Sequence, residues 1–263
     1  MSPAYLSKVP YEEGVVLKTR LDLKRLSFAG ECVARTLSRI ASEVKSGVPA
    51  SYLEEVCTGF LAAEYSGFSI EHSKMFPYHL AVSINETAVH GIPDRTLLRR
   101  GDLVTLDLAL KVDGWYGDSA LTVPVGSLSP EKMRLMEAAR EATAAGIAAI
   151  HPGGRLGDIG AAVGRVLSER GLRIIDNLAG HGVGMELHEP PTVLHSGEAG
   201  VGAPIVPGMV FTVEPVITSG EPIVIDKGDG YGLVTRDGAP AASFEHTLAV
   251  TSEGVICLTS PGS

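Results

Sequence analysis

Apolar positions recur at helical spacing from Leu21 to Val44, where Leu26, Ala29, Val33, Leu37, Ile40 and Val44 share one face, widened by Cys32 and Ala34. Ser46-Gly47-Val48-Pro49 breaks the pattern. Ser51 is placed to cap a second helix from Tyr52 to about Tyr65, ended at Gly67. The period then changes. Leu80–Ile84 reads as a strand, and Leu103–Val112 and Trp115–Val125 read as the arms of a hairpin joined by Asp113-Gly114. A long helix is expected from Pro130, behind Ser129, to about Ile150, and another from Asp158 to Arg170, stopped by Gly171. Beyond it, short apolar runs alternate with Gly and Pro: Gly180–Leu187, Met209–Ile217, Ile223–Ile225, Tyr231–Val234 and Phe244–Val250 read as strands of a sheet.

An internal echo orders these elements. Gly101-Asp102-Leu103-Val104-Thr105-Leu106-Asp107 is matched 107 positions later by Gly208-Met209-Val210-Phe211-Thr212-Val213-Glu214. The breaker and helix start at Ser46–Leu53 are echoed, at nearly the same offset, by Gly153–Gly160. Helix, helix, strands, twice over, predicts an α+β fold with a pseudo-twofold repeat and helices packed on one face of a curved sheet. Residues 1–20 read as an N-terminal extension and 21–263 as a single catalytic domain.

Acids inside apolar strands supply the candidate chemistry. If Val112 pairs with Trp115, Asp107 faces Ala120 and Asp118 is a diagonal neighbour on the same face, about 7–8 Å away. Asp is depleted from strands, and two such acids repel unless a cation lies between them. The repeat makes Glu214 the partner of Asp107, so that both face one shared site. Glu245, in Phe-Glu-His-Thr, is a fourth acid, while Lys227 and Arg236 lie in turns. His181 sits in Gly-His-Gly-Val-Gly, His188 in Leu-His-Glu-Pro-Pro and His90 in Val-His-Gly-Ile-Pro; alone, such histidines are more often loop residues than ligands, and His79 reads as one of those. Asp107, Asp118, His181, Glu214 and Glu245 together form an oxygen-rich set with one imidazole. Two divalent ions would neutralise it, and the donors suit Fe, Mn, Co or Zn without choosing among them. Paired divalent ions support amide hydrolysis.

Composition narrows the classes. A formal charge of -9 with 5% aromatic residues disfavours DNA and membrane as partners. Cys32, Cys57 and Cys257 form no CxxC pair and suit reduced thiols in the cytoplasm. Pro10, Glu12 and Glu13 argue against a secretory leader.

The motifs as a set resemble methionine aminopeptidases of type I, within the creatinase or pita-bread fold. They are Ser-Ile-Asn-Glu-Thr-Ala-Val-His-Gly-Ile-Pro at 83–93, Gly-Asp-Leu-Val-Thr-Leu-Asp at 101–107, Gly-Asp-Ser at 117–119, Gly-His-Gly-Val-Gly with Leu-His-Glu-Pro-Pro at 180–191, Phe-Thr-Val-Glu-Pro at 211–215 and Phe-Glu-His-Thr at 244–247. The resemblance runs from Leu21 to about Leu258. It implies an antiparallel sheet of the pita-bread kind and removal of Met from peptides and nascent chains whose second residue is small. By resemblance, Asp107 binds one metal, Asp118 and Glu245 bridge both, and His181 and Glu214 bind the other. His90 and His188 would position the substrate and stabilise the tetrahedral intermediate. Phe76, Ala81, Leu187 and Tyr231 take the positions of the methionine pocket, where the family often carries Tyr, Cys, Phe and Trp. The 31-residue gap from Glu214 to Glu245 leaves no room for the helical insertion of type II enzymes. A monomer is expected, with the ribosome a candidate partner. The alternatives are an Xaa-Pro-type peptidase, which usually has an N-terminal domain and an Arg before the last glutamate where this chain has Ser243-Phe244, and a non-catalytic peptide-binding relative, which would lack the ligands.

Overall fold

A computed structural model describes residues 14–260; the proposed extension lies outside the described residues up to residue 13. Among the described residues the helices are α1 (Arg20–Ala41), α2 (Ala50–Glu64), α3 (Pro130–Ala148) and α4 (Leu156–Arg170). The longest strands, β4 (Leu103–Val112) and β5 (Trp115–Pro124), form the expected hairpin. Val112 pairs with Trp115, Asp107 with Ala120 and Ala109 with Asp118. Asp113 and Gly114 both take positive φ, 46° and 87°, as a tight turn matched to strand twist requires.

All strand pairings among the described residues are antiparallel, and they fall into four sets. In one, β4 carries β5 on one side and β1 (Ile70–His72) and β2 (Leu80–Ile84) on the other. The largest runs β15 (Gly254–Cys257), β14 (His246–Thr251), β9 (Val210–Val213), β7 (Gly180–Gly182), β8 (Glu189–Val193). Two small sets join β13 (Ala241–Ser243), β10 (Val216–Thr218) and β6 (Arg173–Ile174), and β11 (Val224–Asp226), β12 (Leu233–Thr235) and β3 (Thr87–Val89). The α+β architecture with antiparallel sheets follows the expectation, although the small strands were not all visible as apolar runs.

The repeat is physical. The first N–H groups of α2 are taken by backbone carbonyls, Ala50 by Thr96 and Ser51 by Asp94; those of α4 are taken likewise, Leu156 by Ala203 and Gly157 by Val201. Isolated bridges, Pro49 to Leu97 and Arg155 to Pro204, repeat at nearly the same offset. This corrects two helix starts. Ser51 caps nothing, because α2 begins behind Pro49 with its orphan donors already satisfied by the chain. Asp158 lies inside α4, its carboxylate turned back to the N–H of Arg155 at 2.7 Å. Three strand expectations also shorten. Gly180–Leu187 is a strand only to Gly182. Met209–Ile217 is split at Glu214-Pro215, where Pro has no N–H to give. Phe244–Val250 starts only at His246.

Burial along β4 alternates. Val104, Leu106, Leu108, Leu110 and Val112 face α1 and α2 in one core with Val33, Leu37, Ile40 and Leu53, while Asp107 and Ala109 look the other way. On β5 a Cβ at Gly117 would overlap the backbone of Ala29, so α1 crosses the sheet there at contact distance. Asp118, the next residue, points to the opposite face. The second half has its own cores: Ile159 of α4 packs with Phe211, Val213 and Leu248, and Leu135, Ala139 and Ala142 of α3 pack with Val163, Ile217 and Ala242. Among the described residues no helix is long and apolar enough to cross a membrane.

Candidate metal centre

The halves meet along β5 and the segment 243–247. Glu245 N donates to the Ala120 carbonyl at 2.8 Å, Ser119 Oγ to the Glu245 carbonyl at 2.6 Å and Thr247 Oγ1 to the Asp118 carbonyl at 2.7 Å. These bonds set Asp118 and Glu245 side by side, both buried. His181 arrives from β7. Its Nδ1 lies 3.1 Å from the Gly182 carbonyl, which fixes the proton on that nitrogen and leaves Nε2 as an acceptor. That Nε2 stands 3.6 Å from Asp118 Oδ2 and 3.4 Å from Glu214 Oε1. Thr212, fully buried, links the last two ligand candidates: its hydroxyl accepts the His181 N–H at 3.0 Å and donates to Glu214 Oε1 at 2.5 Å.

Ligand atoms of Asp118, His181 and Glu245 lie within 4.8 Å of one another. Asp107 and Glu214 share the same cavity of about 390 Å³, and so do His90, His188, Phe76, Ala81, Leu187 and Tyr231. Every residue singled out in the sequence as ligand, substrate-positioning group or pocket wall therefore lines one space. The rings of His181 and His188 meet edge to face at 4.3 Å, and those of Phe76 and Tyr231 at 5.5 Å. His90 holds a left-handed backbone, φ 54°, between β3 and the Gly91 N–H that donates to Ser83 Oγ. That conformation is sparsely populated and tends to be kept at functional sites.

Electrostatics give the cluster its character. Burial pushes the Asp107, Asp118, Glu214 and Glu245 carboxyls up, and the like charges of neighbouring acids add to the rise at the last three. Glu214 reaches about 8. Burial, and then His188, pushes His181 down to about 4, so its ring is neutral. Four acids that resist ionisation around a neutral imidazole form a donor set that a cation would relieve. Glu245 Oε1 is buried without a hydrogen-bond partner among the described residues, as a ligand atom aimed at a cation would be. The residues present thus fit divalent metal.

Several cavity and support residues escaped the sequence reading. His79 is a loop residue, as expected, but that loop also lines the cavity, with the His79 backbone N–H on Glu54 Oε1 at 3.1 Å. His195, fully enclosed, accepts the Glu214 N–H at Nε2, 2.9 Å away, and burial pushes its own ring down to about 3. Thr212 had a signal, since it lies two residues before Glu214 on a strand face. His195 had none, because it reaches Glu214 through the fold.

Fold and site together define a metallopeptidase: residues 24–252 match metallopeptidase family M24, and the chain belongs to that family. Within the family its likeness is to methionine aminopeptidases. It is 36% identical to methionine aminopeptidase B of Synechocystis sp. over 95% of this chain and 93% of that protein. It is 34% identical to methionine aminopeptidase 1 of Bacillus subtilis over 93% and 99%. The crystal structure of methionine aminopeptidase from Rickettsia prowazekii superposes with a TM-score of 0.89 at 33% identity, covering 94% of this chain and all of that one. The family resemblance and fold class expected from the motifs are borne out by these matches.

Proposed function

We propose that this chain is a methionyl aminopeptidase that removes N-terminal Met when the second residue is small. The observation that carries the reading is the convergence of five metal-type donors, the further imidazoles of His79, His90 and His188 and an apolar slot on one cavity. The matching relatives are methionine aminopeptidases along nearly their whole length, which makes the Xaa-Pro alternative the weaker one.

Asp107, Asp118, His181, Glu214 and Glu245 would hold two divalent ions. When bound, such ions supply Lewis acidity for hydrolysis of an amide. The chain's own residues do the rest. The Met side chain enters between Phe76, Ala81, Leu187 and Tyr231, where its burial contributes about 1.5–3 kcal/mol. His188, pushed down by burial and by His90, keeps a neutral ring at pH 7 and offers an N–H to the scissile carbonyl oxygen. His90, which lines the same cavity, would orient the peptide beyond the bond. The second residue lies against the rim, so a bulky side chain there would hold the carbonyl away from the ligand cluster. Substrates would be short peptides and nascent chains, met in the cytoplasm by a monomer.

The test is hydrolysis of Met-Ala-Ser against Ala-Pro peptides by metal-stripped protein titrated anaerobically with Fe(II), Mn(II), Co(II) or Zn(II). Metal-dependent release of Met from the first peptide supports the reading. Cleavage of the Ala-Pro peptides alone would favour an Xaa-Pro enzyme, and metal binding without turnover of either would favour a binding protein.

A further inference from the structure

The chain just before α1 is tied to the wall that carries His188. Val15 packs into the second-half core, and Lys18 N donates to the Gly208 carbonyl at 2.7 Å. The Lys18 side chain then runs inward, only 4% exposed, and its ammonium ends on Glu189 Oε2, itself on a carboxylate side chain 13% exposed. The other oxygen of Glu189 accepts the Glu186 N–H at 3.2 Å. Gly184 closes the turn: its N–H donates to the Glu186 carbonyl at 3.1 Å and its carbonyl accepts the Tyr116 N–H at 2.9 Å. A Cβ at Gly184 would overlap both the Glu189 carboxylate and the Lys18 ammonium. The turn from 184 to 189 is therefore wrapped around a buried ion pair, and Leu187 and His188 are the residues it presents to the cavity.

We propose that Lys18 is a positioning residue. Through Glu189 it holds the 186–188 turn and so sets the place of the His188 ring, which it never touches. The inference rests on the reading of His188 as a substrate-binding group. Removing one member of a buried pair leaves an uncompensated charge, which must find water. The Glu189 side chain, 13% exposed, gains further water by swinging out of the turn, and its hold on the Glu186 N–H weakens with that movement. A displacement on the order of 1 Å at a group that orients the reacting carbonyl lowers turnover by up to about a hundredfold. A plain staple between the segment before α1 and the body would lower stability and leave turnover unchanged in protein that stays folded.

Lys18→Met keeps the aliphatic stem and removes the charge. On Met-Ala-Ser, well below the melting temperature, its kcat should fall about ten- to a hundredfold with metal content unchanged, and Lys18→Arg should restore most of it. In a His188→Ala background the same substitution should change kcat by less than about twofold, because the group it positions is gone. In Zn(II)-loaded protein the ring Cε1–H NMR signal of His188 should shift or broaden in Lys18→Met. Equal losses in both backgrounds, or an unmoved His188 signal, would overturn the proposal. If Lys18→Met does not fold, Glu189→Gln is read by the same three measurements. Should His188→Ala itself leave turnover untouched while the His188 signal still moves, the tie from Lys18 stands and the role given to His188 is what fails.

Discussion

Ser119 and Glu245, 126 residues apart, are joined by a buried hydrogen bond of 2.6 Å from the serine hydroxyl to the glutamate carbonyl. The bond crosses the seam between the two halves and fixes the backbone from which Glu245 reaches the ligand cluster. Ser119→Ala leaves that buried carbonyl short of a donor, at about 1–3 kcal/mol. The expected result is a lower melting temperature together with weaker retention of divalent metal, read by thermal unfolding and by metal analysis after dialysis against a chelator. Destabilisation with wild-type metal retention would show that the seam supports the fold without tuning the site.

Metal binding should release protons. Burial holds Glu214 at about 8 against an ordinary 4.5, so the metal-free fold keeps a proton that the unfolded chain gives up near 4.5. Its stability therefore falls as pH rises through that interval. His181 works in the opposite sense: held near 4 against 6.5, it makes the fold gain stability as pH rises from about 4 to 6.5. Above pH 6.5 only the carboxylate effect remains. The melting temperature of metal-free protein should fall from pH 6.5 to 8, and added Mn(II) or Zn(II) should reverse the trend. Calorimetric titration in buffers of different ionisation enthalpy should show net proton release at pH 7, smaller in Glu214→Gln, whose activity should be largely lost.

His188→Ala separates the two imidazoles at 4.3 Å. His181 faces the carboxylates and His188 lies toward the exposed side of the cavity, so the substitution should lower kcat about 10²–10³-fold with metal content nearly intact. A variant that loses its metal instead would reverse the roles assigned to His181 and His188.

The candidate site was legible where chemistry violates local pattern. Asp107 interrupts an alternating apolar strand, and Asp113-Gly114 fixes the register that places Asp118 diagonal to it, so both could be read from one hairpin. Glu214 was reachable because the repeat copies Asp107. The 107-residue echo also foretold two helix starts made alike, though not that backbone carbonyls, rather than Ser51, would satisfy them. What stayed hidden depends on approach between distant segments. His195 meets the Glu214 N–H, and Lys18 meets Glu189 across 171 residues; neither follows from a period or a turn rule. The split of 209–217 was readable from Pro215. The pairing of the short strands β11 and β12 with β3 was not, since such runs carry too few positions to choose a partner.

Tyr231, which lines the cavity from the turn between β11 and β12, is the residue on which the proposed substrate choice can be tested. Asp229 Oδ1 accepts the Tyr231 N–H at 3.0 Å and the Gly232 N–H at 2.7 Å, so the ring stands on an ordered turn and meets Phe76 edge to face, at 89°. Phe76 comes from the segment before β2, and the two rings close the apolar slot from opposite elements. Such a slot distinguishes side chains differing by a methylene by only about 1–3 kcal/mol, so norleucine should replace Met with moderate loss, while β-branched or charged first residues should be poor. Tyr231→Ala removes one wall and the ring contact. It should raise KM for Met peptides and relax the preference toward Leu and Phe, with metal content unchanged because the ligand cluster lies on other elements. The comparison is kcat/KM for Met-, Leu- and Phe-Ala-Ser peptides in wild type and variant. If their ranking stays the same, the first side chain does not lie between Phe76 and Tyr231, and the methionine slot must be sought deeper, beside Ala81 and Leu187.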